Sequence, residues 1–284
     1  MASPRVVPSR VCLYADPSAV TLDLRAVATY VRRTTGLATA VREEFFHHHS
    51  ADLGRLAGAI AAARVTDVTH PWESKPAPPP LVDFERRLLE TPEHRVPGVL
   101  YDGLRLQAIY RSALPPNERT LRIAHIALTS RLPGTFDDAD RRYHARAVIL
   151  GYPGLVSTSG LVEAPAKPRG FYAAKRAMRI ESADARYEVL KERYAGQFVD
   201  YDDARLSIVV RGYVLQPLFY HMTGEPFCDD EACILFNAHW QEEMLRAQVE
   251  SGSLCARHRE VAEALRRRRA PMGRLTGGKR TRRR

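Results

Sequence analysis

The sequence predicts an α+β fold, a mixed β-sheet with packed helices, on three observations. Strand-like apolar runs alternate with amphipathic helical stretches as far as Thr158, the chain turns helical from Gly170 onward, and Cys228, Cys233, Cys255 and His258 gather late in that helical half.

Taken in order, Val11 to Asp16 (VCLYAD) reads as a strand. A helix follows from about Leu22 to Arg33, where Leu24, Val27, Ala28 and Val31 recur at helical spacing. Thr39 to Phe46 reads as a second strand and the alanine-rich Asp52 to Arg64 as a second helix. Pro71 to Pro80 (PWESKPAPPP) is expected to be an extended surface loop, because successive prolines exclude helix. Another helix fits Leu104 to Leu114, stopped by Pro115 and Pro116, and a strand fits Leu121 to Thr129 (LRIAHIALT). Ala147 to Tyr152 and Leu155 to Thr158, punctuated by Pro153 and Gly154, read as paired strands or a bent edge strand. In the helical half, Leu206, Val209, Val210, Tyr213, Val214, Pro217, Leu218 and His221 fall at steps of three and four. That spacing makes Tyr201 to Thr223 a long helix whose buried stripe includes His221 and which ends near Gly224. No internal repeat is present.

The charge is located rather than spread. The chain has 43 Lys and Arg against 33 Asp and Glu, a net +10. Arg266 to Arg284 hold nine Arg and one Lys with no acid, so 43 minus 10 leaves 33 basic residues balancing the 33 acids elsewhere. The expected organisation is therefore one neutral domain over residues 1–265 and a disordered basic tail over 266–284, too poor in apolar residues to offset its ordering entropy. Nucleic-acid phosphate is the candidate partner of that tail. A merely solvated tail is the alternative, since no interleaved aromatics offer a stacking surface for bases. No apolar stretch is long enough to cross a bilayer, and MASPRVVPSR lacks the apolar run of a signal peptide, which predicts a cytoplasmic protein with no membrane partner.

Three of the four cysteines fall within 28 positions, while Cys12 lies far away in an apolar run, so a disulfide scaffold is not expected. The arrangement C-x4-C, 21 residues, C-x2-H has the form of a zinc site: thiolates and an imidazole suit Zn2+, and two local pairs converge at little cost in loop entropy. A closed set of four predicts one structural Zn2+ held by Cys228, Cys233, Cys255 and His258, with the zinc-bound part spanning about 224–265. Unrelated buried cysteines are the alternative.

The segment PLFYHMTGEPFC, followed by DDEACIL, resembles the archaemetzincins, a family of zinc metallopeptidases with the signature HExxHxxGxxH, then C-x4-C-x-M and a distal C-x2-C. Aligned on Cys228, His221 falls on the second histidine, Gly224 on the turn glycine, Cys228 and Cys233 on the first cysteine pair, and Cys255 on the third cysteine, with His258 replacing the fourth. The resemblance implies a metzincin-like metallopeptidase fold with a long metal helix and a C-terminal helical zinc-bound subdomain. It also extends upstream, where LRLQAIYRSAL, a strand ending in ALTSRL, and AVILGYPGLVSTSGLVEAP match the family's core helix, central strand and edge-strand pair. An extended substrate would add a strand to that edge.

The departures decide the expected activity. Pro217 stands at the first histidine, Leu218 at the glutamate, Phe227 at the third histidine and Leu235 at the methionine. Neither proline nor phenylalanine has a lone pair for a metal, and leucine cannot take a proton from water. The expectation is a catalytically degenerate pseudo-peptidase that retains peptide or protein binding in its cleft. Its candidates for any residual catalysis are His221, otherwise a core histidine bonded to a neighbour, and Glu163, which would reach the cleft from the edge-strand side. Two other readings stand beside it: a nucleic-acid-binding CCCH zinc protein that uses the basic tail, and an active peptidase with substitute ligands. Among other polar groups, His47, His48 and His49 read as a surface loop, and Asn237 as the N-cap of a helix on which His239 and Glu243 sit one turn apart. Ser157 to Ser159 lack the context of a nucleophile, and no phosphate-binding glycine loop follows a strand.

Overall fold

The computed structural model describes residues 6–49, 52–181 and 184–269. The chain runs through β1 (Arg10–Tyr14), α1 (Leu24–Thr35), β2 (Ala38–Arg42), α2 (Phe45–His48), α3 (Leu53–Ala62), α4 (Pro79–Glu90), β3 (Leu100–Asp102), α5 (Gly103–Ala113), β4 (Ile123–Thr129), β5 (Leu132–Asp137) and β6 (Arg142–Ala145). It continues with β7 (Val148–Ile149), β8 (Gly154–Ser157), α6 (Thr158–Glu163), α7 (Arg169–Ala177), α8 (Ala185–Arg193) and α9 (Leu206–Thr223). Last come α10 (Gln241–Leu245), which passes directly into a π-helical turn (Arg246–Ser251), and α11 (Ala256–Arg269).

The main sheet has the order β2-β1-β4-β8-β7; β2, β1, β4 and β8 run parallel, and β7 closes one edge antiparallel to β8. A parallel sheet must be covered on both faces, which is why β1 beyond Arg10 and all of β4 are buried. Alternation along β1 sends Val11 and Leu13 into one layer, with α1, α9 and the Cys/His segment, and Cys12 and Tyr14 into the other, with α2, α3 and α5. A smaller sheet, β3-β5-β6, flanks the main one. This is the mixed α+β architecture expected, with the two apolar runs around Pro153 forming the paired strands β7 and β8.

Four local expectations are corrected. Phe45 and Phe46 do not extend β2; Glu44 accepts the N–H groups of Phe46 and His47 at 2.8 and 3.0 Å and starts a helical turn that drives both rings into the core. The proline-rich loop is shorter than 71–80, because Pro79 and Pro80 form the first turn of α4, where the missing N–H groups have no helical partner to lose. The helix holding Glu243 begins at Gln241, so Asn237 is not its cap. Arg266–Arg269 belong to α11, whose Ala262 and Leu265 are buried in the core layer that includes α1; the rest of the expected tail, Ala270 to Arg284, lies outside the described residues.

α9 is buried on nearly all sides, not along one stripe, because it runs between the sheet and the C-terminal segment. A side chain at Gly212 would meet Gln248 Oε1 at 2.0 Å and the Ile234 carbonyl at 2.4 Å, so only glycine allows that segment to lie against the helix. Among the described residues no helix is long and apolar enough to cross a membrane.

Candidate metal centre and the adjoining cleft

Gly224 ends α9 in a left-handed conformation at φ 81°, with its N–H on the Tyr220 carbonyl at 2.8 Å, and turns the chain back towards the helix it has just left. Cys228 then bonds across to Leu235, N to O at 3.0 Å, and Cys233 lies in a turn closed by Phe236 N on its carbonyl at 2.8 Å. Ile234 N donates to Ser253 O at 2.8 Å, bringing the strand that leads to Cys255 alongside. The π-helical turn makes that return possible: Gly252, at φ 58°, ends it, and Gln248 Nε2 donates to the Ile234 carbonyl at 2.9 Å. His258 sits in the first turn of α11, its ring edge-on to Phe219 of α9 at 5.5 Å.

These elements bring the four ligand atoms within 4.8 Å of one another. Cys228 Sγ lies 3.8 Å from Cys255 Sγ, and His258 Nδ1 lies 3.7 Å from Cys233 Sγ and 3.2 Å from Cys255 Sγ. A tetrahedral Zn2+ with bonds of about 2.3 Å to sulfur and about 2.0 Å to nitrogen sets sulfurs about 3.8 Å apart and sulfur about 3.6 Å from nitrogen. The donor set therefore has the size as well as the chemistry of a zinc tetrahedron. Backbone N–H groups of Asp230 and Cys255 point at Cys228 Sγ and Cys233 Sγ at 3.4 and 3.5 Å, the outer contacts that support thiolate charge. Burial pushes the Cys233 thiol up to about 12 and the Cys228 thiol upward, and holds His258 below its usual value. A buried cation is what such thiols need in order to ionise near neutral pH.

Beside this cluster opens a cleft of about 360 Å3. Its floor is α9, through Tyr213 and Gln216. Its walls are residues 144–150, which include the edge strand β7, then Ala164 and Pro165, and Phe227 with residues 237–239. The resemblance puts Pro217, Leu218, His221 and Phe227 at motif positions, but these side chains do not meet. Pro217 lies against Gly154 of β8, leaving no room there for a Cβ, and Leu218 is buried in the core. His221 is half-buried and donates through Nε2 to the Leu121 carbonyl at 2.8 Å. Only Phe227 reaches the cleft. Glu163 does not line it either, being the acceptor of the Tyr201 hydroxyl. Glu243 uses its carboxylate on the His239 and Trp240 N–H groups at 2.8 and 3.1 Å rather than on the His239 ring.

The histidine tract is at the surface, with His47 exposed, but it forms a helical turn capped by His49 rather than a loop. His47 Nε2 donates to Leu89 O at 2.8 Å, and His49 joins a buried network around Tyr14. His125 Nε2 must donate to the Glu118 carbonyl at 3.1 Å, so its Nδ1 accepts from Tyr14 at 2.7 Å, and the Tyr14 oxygen in turn accepts from His49 at 3.0 Å and Arg42 at 2.7 Å. Burial lowers both His49 and His125 to about 4, while the bidentate Arg42 ion pair holds Glu118 down at about 2. The sequence reading also missed Gln216 and Arg146 in the cleft; the signal for Gln216 was a polar residue in the middle of an otherwise apolar helix.

No curated protein matches the chain. Among solved structures, a zinc-dependent peptidase from Methanocorpusculum labreanum is similar at 12% identity, covering 89% of this chain and 98% of that chain, with a TM-score of 0.39, a level that carries no argument about fold. The family comparison is decisive, because its match spans residues 7–265, from just before β1 to the end of the buried part of α11: the chain belongs to the probable metallopeptidase family DUF6775.

Proposed function

We propose that this protein is a zinc-stabilised, archaemetzincin-like member of its family that has lost the catalytic donor set and binds extended peptide in the cleft beside β7. One observation carries the reading: the cysteine and histidine donors converge at the Cys228–His258 cluster, whereas α9 turns Tyr213 and Gln216 into the cleft where a catalytic metal would need histidines. Zn2+ in the cluster would be held by Cys228, Cys233, Cys255 and His258 and would supply cross-linking, with four protein ligands leaving no open position for water. It would tie the loop after α9 to the start of α11. Peptide binding rests on β7. Ser157 N donates to Ala147 O at 2.8 Å and Ile149 pairs with Leu155, so alternation in the antiparallel pair turns the N–H and C=O of Val148 outward to the cleft. The test combines zinc content with incubation of the zinc-loaded protein and a peptide library. One zinc, binding and no cleavage is expected; two zincs with cleavage would replace this reading with an active peptidase using substitute ligands.

A second reading has its own observation. Arg266 Nη1 donates to the Arg33 carbonyl at 3.1 Å, which brings exposed Arg32 and Arg33 of α1 beside exposed Arg266, Arg267 and Arg268 of α11, just ahead of the basic C-terminal sequence. A salt-dependent gel shift with nucleic acid that survives deletion of 270–284 and is lost on Arg32→Glu with Arg33→Glu supports phosphate contact by this surface; no shift refutes it.

A further inference from the structure

We propose that the cleft selects peptides carrying a carboxylate, and that Arg146 is the specificity-determining residue; this rests on the peptide-binding reading above. Arg146 is the only residue with a fixed charge among the seventeen that line the cleft. Its Nε donates to Thr135 Oγ1 at 2.8 Å, and its own N–H is taken by the Pro133 carbonyl at 2.8 Å, so both the backbone and the root of the guanidinium are held in place. No acidic side chain pairs with it among the described residues, and the remaining guanidinium N–H groups are available to a ligand. His144, two residues earlier on β6 and also lining the cleft, is already taken by Asp140 at 2.7 Å.

Gln216 points to the same ligand. It is 2% exposed, and its Nε2 donates to the Phe236 carbonyl at 3.2 Å, which fixes the amide so that Oε1 is the free acceptor. Oε1 has no partner among the described residues. An acceptor with no protein partner, on a residue that lines the cleft, fits a peptide N–H, with the Val148 edge lining the same cleft. Leu104, Ala147, Phe227 and Ala238 give the surface between them an apolar character. The occupant that satisfies all three is an extended peptide whose backbone lies between Val148 and Gln216 and whose carboxylate lies on Arg146, which lines the same cleft.

The carboxylate has two sources, an Asp or Glu side chain or the C-terminus of the peptide. Fluorescence anisotropy of the full-length, zinc-loaded protein with labelled peptides in matched Glu and Gln versions, each as free acid and as C-terminal amide, separates them. At least about tenfold tighter binding of the carboxylate version is expected. A Glu-over-Gln preference assigns the side chain, and an acid-over-amide preference assigns the terminus. Arg146→Ala should abolish whichever preference is seen, with Arg146→Lys restoring part of it. Peptides that bind equally well with and without a carboxylate overturn the role of Arg146 while leaving peptide binding intact. Failure of every peptide to bind overturns the peptide-binding reading itself. If Arg146→Ala does not fold, the matched peptides on the wild-type protein still decide the question.

Discussion

Replacing Cys233 by serine removes one sulfur from the cluster at a position with no solvent access. Structural zinc contributes on the order of 10 kcal/mol of apparent free energy near neutral pH, and a whole domain is stable by only about 5–15 kcal/mol. If the proposed zinc is bound, it would account for a large fraction of what keeps residues 224–265 folded. A serine hydroxyl is a poor Zn2+ ligand, and burying it without a partner costs about 1–3 kcal/mol more. The consequence follows the local architecture. Cys228 and Cys233 are held by short-range turns, but Cys255 and His258 reach them across the π-helical turn and α11. Loss of the ion should free α11 from the loop after α9 and expose Leu254, Ala262 and Leu265, which are buried. The assay is thermal unfolding with and without chelator, together with zinc content, on wild type, Cys233→Ser and Cys12→Ser. Cys12 is the control, equally buried but in β1 and far from the cluster. Cys233→Ser should retain little zinc, melt well below wild type and no longer respond to chelator, while Cys12→Ser keeps its zinc and its chelator response. A Cys233→Ser protein that binds zinc and melts as wild type does would refute the reasoning.

Three further outcomes are expected. The folded-state value of His125, about 4, lies below the unfolded value near 6.5, so the unfolded chain binds more protons and stability is lost as pH falls through that window. About 2 kcal/mol should disappear between pH 7 and 5, read as the difference between wild type and His125→Gln in urea unfolding; parallel pH profiles would contradict it. Glu85, fully buried, pairs with Arg64 at 3.0 Å and Arg131 at 3.6 Å and accepts the Tyr101 hydroxyl at 2.7 Å, so Glu85→Ala strands two buried guanidiniums and should cost about 3–5 kcal/mol by denaturant unfolding. A loss below ~1 kcal/mol would mean that water reaches them. Gly212→Ala drives a methyl into Gln248 and the Ile234 carbonyl and should cost about 1–3 kcal/mol or more, with zinc more easily removed by chelator because the C-terminal segment is pushed off α9; unchanged stability would contradict that packing.

The Cys/His cluster was legible because its convergence is encoded locally, in two short-range pairs whose spacing is a property of the chain itself. The sheet was legible where apolar runs are continuous, as in β1 and β4, which parallel packing requires. It was illegible in β5 and β6, where LPGTFD is interrupted by proline and glycine and RYHA is short and largely polar. α4 was hidden because a proline reads as a helix breaker unless the first turn is known. The cleft was harder for a geometric reason: one residue along a helix rotates a side chain by about 100°, so aligning motif letters on α9 names Pro217 while the structure presents Gln216. The Tyr14 network joins residues from β1, β2, β4 and the end of α2, more than 100 positions apart at its widest, and no local pattern announces it.

Where metal can be held decides the function proposed for this chain. Elemental analysis of purified protein, saturated with Zn2+ and then freed of loosely bound ion, should return one zinc per chain, and that zinc should be lost in Cys228→Ser while surviving His221→Ala. No zinc at all, or a second equivalent that disappears with His221, would contradict it.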